Sequence, residues 1–129
     1  MDKRKFVIAI DFDGTIVENK YPMIGKLKDG VREAINKLVT QDNCEVIIWT
    51  CREGDFLKDV VFFLTENSIP YHYLNDNCDW AKKEFYYNAN CRKVFADLYI
   101  DDKAIFADID WNKIYDEIIK IKNSSKQFI

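Results

Sequence analysis

Apolar positions along the chain follow two rhythms that take turns. KFVIAI, residues 5–10, is a short, continuous, β-branched run, as expected of a strand buried on both faces. Residues 14–29 break the rhythm, with Gly14, Pro22 and Gly25 inside the stretch and Gly30 just past it. Val31, Ala34, Ile35, Leu38 and Val39 then recur at helical spacing, and Asp29 is placed to cap that helix. CEVIIWT, residues 44–50, reads as a second buried strand. Gly54 and Asp55 open another helix with the stripe Phe56, Leu57, Val60, Val61, Phe63 and Leu64, closed before Pro70.

YHYL, residues 71–74, is a short third strand, and 79–88 a short helix. VFADLYI, residues 94–100, is a fourth strand that runs into Asp101 and Asp102. The last helix carries Trp111, Ile114, Tyr115, Ile118 and Ile119, and the tail KNSSKQ, residues 122–127, reads as frayed.

Strands that alternate with helices predict an α/β fold with a mostly parallel sheet covered on both faces. The 129 residues suit a single domain, 1–129, around one core. The charge changes little in this picture. A net charge of −3 marks neither a nucleic-acid nor a membrane-surface binder. Apolar runs of about five residues are far short of a membrane span. No basic segment leads into a signal-like apolar stretch, because FVIAI stops at Asp11, so a cytoplasmic protein is expected.

Cys44, Cys51, Cys78 and Cys91 match no C-x-x-C zinc pattern and read as plain thiols. His72, the one histidine, reads as a half-buried strand residue, which leaves little material for an imidazole-based site.

Chemistry enters where the strands end. In a parallel sheet the ligand site lies at the carboxyl ends of the strands. Asp11 and Asp13 follow the first strand, Thr50 and Arg52 the second, Asp101 and Asp102 the fourth. Four carboxylates gathered at one edge repel each other and lose hydration. A hard divalent cation resolves that conflict. Mg²⁺ would take Asp11, the carbonyl of Asp13, and Asp101 or Asp102, and leave positions for water and a phosphate oxygen.

A carboxylate held beside such a phosphate can attack it and split a hard hydrolysis into two steps. A second acid just beyond the turn can protonate the leaving oxygen and later deprotonate water. Gly14 would let the backbone approach the phosphate. The Thr50 hydroxyl and the backbone N–H groups after it, from Cys51 on, would bind phosphoryl oxygens. A lysine would offset the charge that builds up. An Asp-x-Asp-Gly stretch by itself is often only a turn; here it follows a buried strand and is matched by two other polar strand ends.

DFDGT resembles the first motif of the haloacid dehalogenase superfamily of phosphohydrolases. VIIWTCR resembles its second motif and DLYIDD its fourth, in the family's order. The resemblance implies a Rossmann-like three-layer fold over nearly the whole chain. It also implies roles: Asp11 as nucleophile, Asp13 as general acid/base and metal ligand through its carbonyl, Thr50 as phosphoryl binder, and Asp101 with Asp102 as Mg²⁺ ligands. The third-motif lysine falls on Lys93, or else on Lys82 or Lys83. Arg52 is either a substrate or phosphate contact or a solvated loop residue, and Lys103 a surface residue.

Members of this superfamily commonly carry a cap domain. Neither 14–29 nor 75–93 has room for one, so a capless enzyme is implied, with TIVENKYPMIGKLKDG forming a small hairpin flap that carries Glu18, and Tyr21 and Met23 near its tip. Its lysines, Lys20, Lys26 and Lys28, suit an anionic ligand. An open site of this kind would take a large phosphorylated substrate or, in a homo-oligomer, a small one. Three rivals use similar residues: a receiver-like phospho-acceptor domain, a catalytically silent phosphate-binding scaffold, and a phosphotransferase.

Overall fold

A computed structural model describes residues 4–125. Its centre is a four-stranded parallel sheet: β1 (Phe6–Ile10), β4 (Cys44–Ile48), β5 (Tyr73–Leu74) and β6 (Leu98–Ile100), in the order β5-β4-β1-β6. Phe6 to Ile10 pair one-to-one with Cys44 to Ile48, and Ile8 to Ile10 with Leu98 to Ile100. Every residue of β1 is buried, as its unbroken apolar run requires.

Alternate residues of β1 feed two cores. Phe6, Ile8 and Ile10 pack with α1 (Val31–Thr40), α2 (Gly54–Glu66) and α4 (Trp111–Ser124). Val7 and Ala9 pack with Cys78 and with Ala81 of α3 (Asp79–Phe85). The result is a Rossmann-like three-layer α/β sandwich. Between β1 and α1 the chain forms only a hairpin, β2 (Val17–Lys20) against β3 (Met23–Leu27), and between β5 and β6 only α3. Neither connection is a cap domain. No helix of the described residues is long and apolar enough to cross a membrane.

Several sequence expectations shift in detail. α1 is preceded not by a capping Asp29 but by Gly30, in a left-handed conformation (φ 82°) with no side-chain cap. Phe56 leaves the apolar stripe of α2; it is 45% exposed and lies against Tyr21, ring centroids 5.8 Å apart. β6 starts four residues later than the apolar run because Asp97 interrupts the ladder. Its carboxylate accepts from the Val7 N–H at 2.8 Å and holds Arg4. β5 is only two residues long, although the His72 N–H still donates to the Val46 carbonyl. His72 itself is exposed, with Nδ1 accepting from the Val46 N–H at 3.0 Å. The helix α4 runs through Lys122 to Ser124, so that part of the expected frayed tail is ordered; residues 126 and 127 lie outside the described residues.

Candidate active site at the carboxyl edge of the sheet

β1 leads next to β4 on one side and is paired with β6 on the other, so the strand order reverses between β1 and β6. Ligands of open α/β sheets bind in the crevice at such a switch point. Asp11 stands on one side of it, Asp101 and Asp102 on the other. The Asp11 N–H donates to the Ile100 carbonyl at 2.9 Å, which ties the two strand ends together.

The turn after Asp11 is tight. The N–H groups of Thr15, Ile16 and Val17 all converge on the Phe12 carbonyl, at 3.2, 2.9 and 3.3 Å. Phe12 is buried in the core against Phe63, edge to face. Its burial anchors the turn from which both acids project. Trp111, at the start of α4, adds a second anchor, its Nε1–H donating to the Thr15 carbonyl at 2.9 Å.

Asp11, Asp101 and Asp102 each offer a carboxylate oxygen, and these lie within 4.8 Å of one another. Burial pushes the Asp11 carboxyl up to about 7, helped by repulsion from Asp101 and by contact with Asp102. Burial makes the charged form costly, and the neighbouring carboxylates add to that cost. A divalent cation is the simplest relief, and a cluster made of carboxylates alone, without Cys or His, suits Mg²⁺ rather than a softer metal. The residues present therefore fit Mg²⁺. The Asp13 carboxylate is not part of the cluster.

Thr15, fully buried, stitches the cluster. Its hydroxyl lies 3.1 Å from Asp11 Oδ2 and 3.4 Å from Asp102 Oδ1, and its oxygen accepts from the Asp102 N–H at 3.0 Å. Gly14, at φ 90°, is needed for a neighbour the sequence did not point to: a Cβ there would sit 2.6 Å from Asp102 Cγ. The absent side chain makes room for Asp102.

Asp11, Asp13, Asp101 and Asp102 line a cleft of about 360 Å³ with Asn19 and Tyr21 of the hairpin and with Thr50, Cys51 and Lys103. Thr50 is held by Asn75, whose Oδ1 accepts from the Thr50 N–H at 2.7 Å. The Thr50 oxygen accepts from the Arg52 N–H at 3.3 Å, which leaves its O–H to donate to a ligand. Cys51 is an exposed free thiol at the rim. A wider groove of about 520 Å³ between α1 and α4, lined by Glu33, Lys37 and Tyr115 among others, gathers none of the strand-end acids.

Arg52 also lines the cleft, and it is not the solvated loop residue that one sequence reading expected. It is 1% exposed and grips both oxygens of Asp13, Nε to Oδ2 and Nη2 to Oδ1, each at 2.8 Å. The lysines are scattered. Lys93 is exposed with its ammonium over the Tyr99 ring, 5.1 Å from the centroid, and is not among the residues lining the cleft. Lys82 pairs with Asp76 at 3.0 Å, in the segment after β5. Lys83 is exposed. Lys103 lines the cleft 3.8 Å from Asp102, its side chain 76% exposed.

Sequence reasoning missed Thr15 and Asn75. Thr15 stands in DFDGT itself, and a hydroxyl two residues after an acid was a legible signal. Asn75 directly follows a weak strand and gave none.

No family model matches the chain, and no curated protein matches it. Among solved structures it is similar to a conserved protein from Bacteroides thetaiotaomicron, 34% identical, with a TM-score of 0.77 over 92% of this chain and 93% of that one. The chain belongs to the family of that conserved protein. The likeness runs nearly end to end in both chains. The relative is described only as conserved.

Proposed function

We propose that the protein is a Mg²⁺-dependent phosphohydrolase of the haloacid dehalogenase type that works through an aspartyl-phosphate. The observation that carries this reading is the meeting of Asp11, Asp101 and Asp102 at the β1/β6 switch point, with Asp11 too crowded to hold its charge alone.

When bound, Mg²⁺ would supply neutralisation of that charge and of the phosphate. Asp11, Asp101 and Asp102 would hold it. The Asp11 carboxylate then attacks phosphorus, and the bond from phosphorus to the leaving oxygen breaks. Asp13 gives that oxygen its proton. Asp13 next takes a proton from water, the water oxygen attacks the phosphorus of the aspartyl-phosphate, and inorganic phosphate leaves with Asp11 restored. The Thr50 hydroxyl donates to a phosphoryl oxygen throughout. Asp13 borders the cleft but stands outside the carboxylate cluster, which suits a group that faces the leaving oxygen rather than the metal.

The test is hydrolysis of 4-nitrophenyl phosphate. Turnover is expected with Mg²⁺, is expected to vanish on exhaustive chelation, and to fall by several orders of magnitude in Asp11→Asn. Activity that survives chelation, or near-wild-type turnover in Asp11→Asn, would sink the reading. Trapping of a phosphorylated peptide containing Asp11 would separate it from a metal-assisted attack by water.

A further inference from the structure

A buried guanidinium is costly unless its donors are paired, and Arg52 pairs all five. Three go beyond a simple ion pair. Nη1 donates to the Pro22 carbonyl at 3.0 Å and, at 3.5 Å, to the Phe56 carbonyl; Nη2 donates to the Met23 carbonyl at 3.1 Å as well as to Asp13. Pro22 lies at the tip of the hairpin, Met23 opens β3, and Phe56 belongs to the first turn of α2. The ring of Tyr21 lies over the guanidinium, 5.0 Å from its centroid, and Tyr21 also rests on Phe56. One side chain thus joins the β1 turn, the hairpin tip and α2.

The consequence is a coupling. If the hairpin lifts, two of the five donors lose their carbonyl partners. The guanidinium would then shift toward water, and the carboxylate it grips would turn with it. The bidentate grip uses one lone pair on each Asp13 oxygen and leaves the others to meet a ligand in the cleft.

We propose that Arg52 is a positioning residue that couples closure of the hairpin to the aim of Asp13 at the leaving oxygen. The proposal rests on the phosphohydrolase reading. It assigns Arg52 no contact with phosphate, and it makes the hairpin tip, through two backbone carbonyls, part of the device that sets the acid.

The leaving group reports on this directly. A nitrophenolate departs with little protonation, whereas an alkoxide needs the proton that Asp13 delivers. The experiment compares kcat/KM for 4-nitrophenyl phosphate and for an alkyl phosphate such as glycerol phosphate, in wild type, Arg52→Ala and Arg52→Lys, at saturating Mg²⁺. Both variants are expected to lose at least tenfold more on the alkyl ester than on the aryl ester. Lysine is a point charge that cannot bridge two carboxylate oxygens and two carbonyls at once. It keeps a buried cation, and it decides the matter if Arg52→Ala does not fold. In an Asp13→Asn background the Arg52→Lys change is expected to add no further discrimination between the esters. Equal losses on both esters, or added discrimination without Asp13, would make Arg52 a mere strut and overturn the proposal. Absence of turnover of either ester by the wild-type protein would instead overturn the phosphohydrolase reading beneath it.

Discussion

Thr15 and Asp102 hold each other across the gap between β1 and β6: the Asp102 N–H donates to Thr15 Oγ1 at 3.0 Å, and the Thr15 hydroxyl lies 3.4 Å from Asp102 Oδ1. The same hydroxyl is 3.1 Å from Asp11 Oδ2, and it has only one proton to share between the two carboxylates. Thr15→Val keeps the shape and removes both the donor and the acceptor. The half-buried Asp102 N–H would lose its partner, at a cost of about 1–3 kcal/mol. Chemical denaturation should show that loss. Mg²⁺ titration should show weaker binding, because two of the three ligand carboxylates lose their common brace. Unchanged Mg²⁺ affinity would mean that Thr15 serves the fold alone.

The crowding of Asp11 should make the metal-free protein sensitive to pH in an unusual direction. Its carboxyl is pushed from an ordinary 3.8 up to about 7, mainly by burial. Between those values the folded protein keeps a proton that the unfolded chain has released. Stability then falls as pH rises through this window, the reverse of the behaviour of a salt-bridged acid. In chelator, the thermal midpoint is expected to drop between pH 5 and pH 8 more for wild type than for Asp11→Asn. Saturating Mg²⁺ should stabilise wild type more at pH 8 than at pH 5. A steeper drop in the Asn variant than in wild type would contradict the crowding.

Gly14 offers a sharper probe of the same pocket. Its φ of 90° disfavours any side chain, and a Cβ would meet the Asp102 carboxylate, 2.6 Å from Cγ. Gly14→Ala therefore combines backbone strain of about 1–3 kcal/mol with displacement of the Asp102 carboxylate, a proposed Mg²⁺ ligand. Both stability and Mg²⁺ affinity should fall. A stable variant with intact metal binding would show that Asp102 can leave its place without consequence, and would shift the metal role to Asp11 and Asp101.

The parts of this architecture that were legible from the sequence share one physical feature: they depend on local pattern. The apolar run of β1 and the 3.6-residue stripe of α1 report burial directly, and DFDGT at the end of a buried strand reports a turn with chemistry in it. Arg52 shows the limit. Whether an arginine after a strand faces solvent, phosphate or a carboxylate depends on where Pro22 and Met23 come to rest, about thirty residues away in sequence, and no local pattern encodes that. The early start assigned to β6, at residue 94, fails for a similar reason. Asp97 looks like one polar residue within an apolar run, yet its carboxylate takes the Val7 N–H and Arg4 for itself. Phe56 has helical spacing for the core, but the hairpin supplies Tyr21 as a partner outside it.

On the phosphohydrolase reading, a lysine balances the charge of the transition state, and the candidates for it differ in their placement. Lys93 lies before β6 with its nitrogen over the Tyr99 ring, while the acids lie after that strand. Lys103 borders the cleft, but its exposed ammonium is screened by water and salt. Lys82, like Lys93, does not line the cleft, but it projects from α3 onto Asp76, in the segment after β5 whose neighbour Asn75 holds the Thr50 N–H. That puts Lys82 at the carboxyl edge of the sheet, on the side of the phosphoryl binder. Lys82→Ala is therefore expected to lower kcat on 4-nitrophenyl phosphate by at least tenfold. Lys93→Ala and Lys103→Ala should each change it by less than about threefold, well under 1 kcal/mol. The three single variants, measured at one Mg²⁺ concentration, rank the candidates. A tenfold loss in Lys93→Ala with Lys82→Ala near wild type would mean that the segment before β6 reaches the site during turnover, and that the ion pair of Lys82 with Asp76 is only a tie between α3 and the sheet.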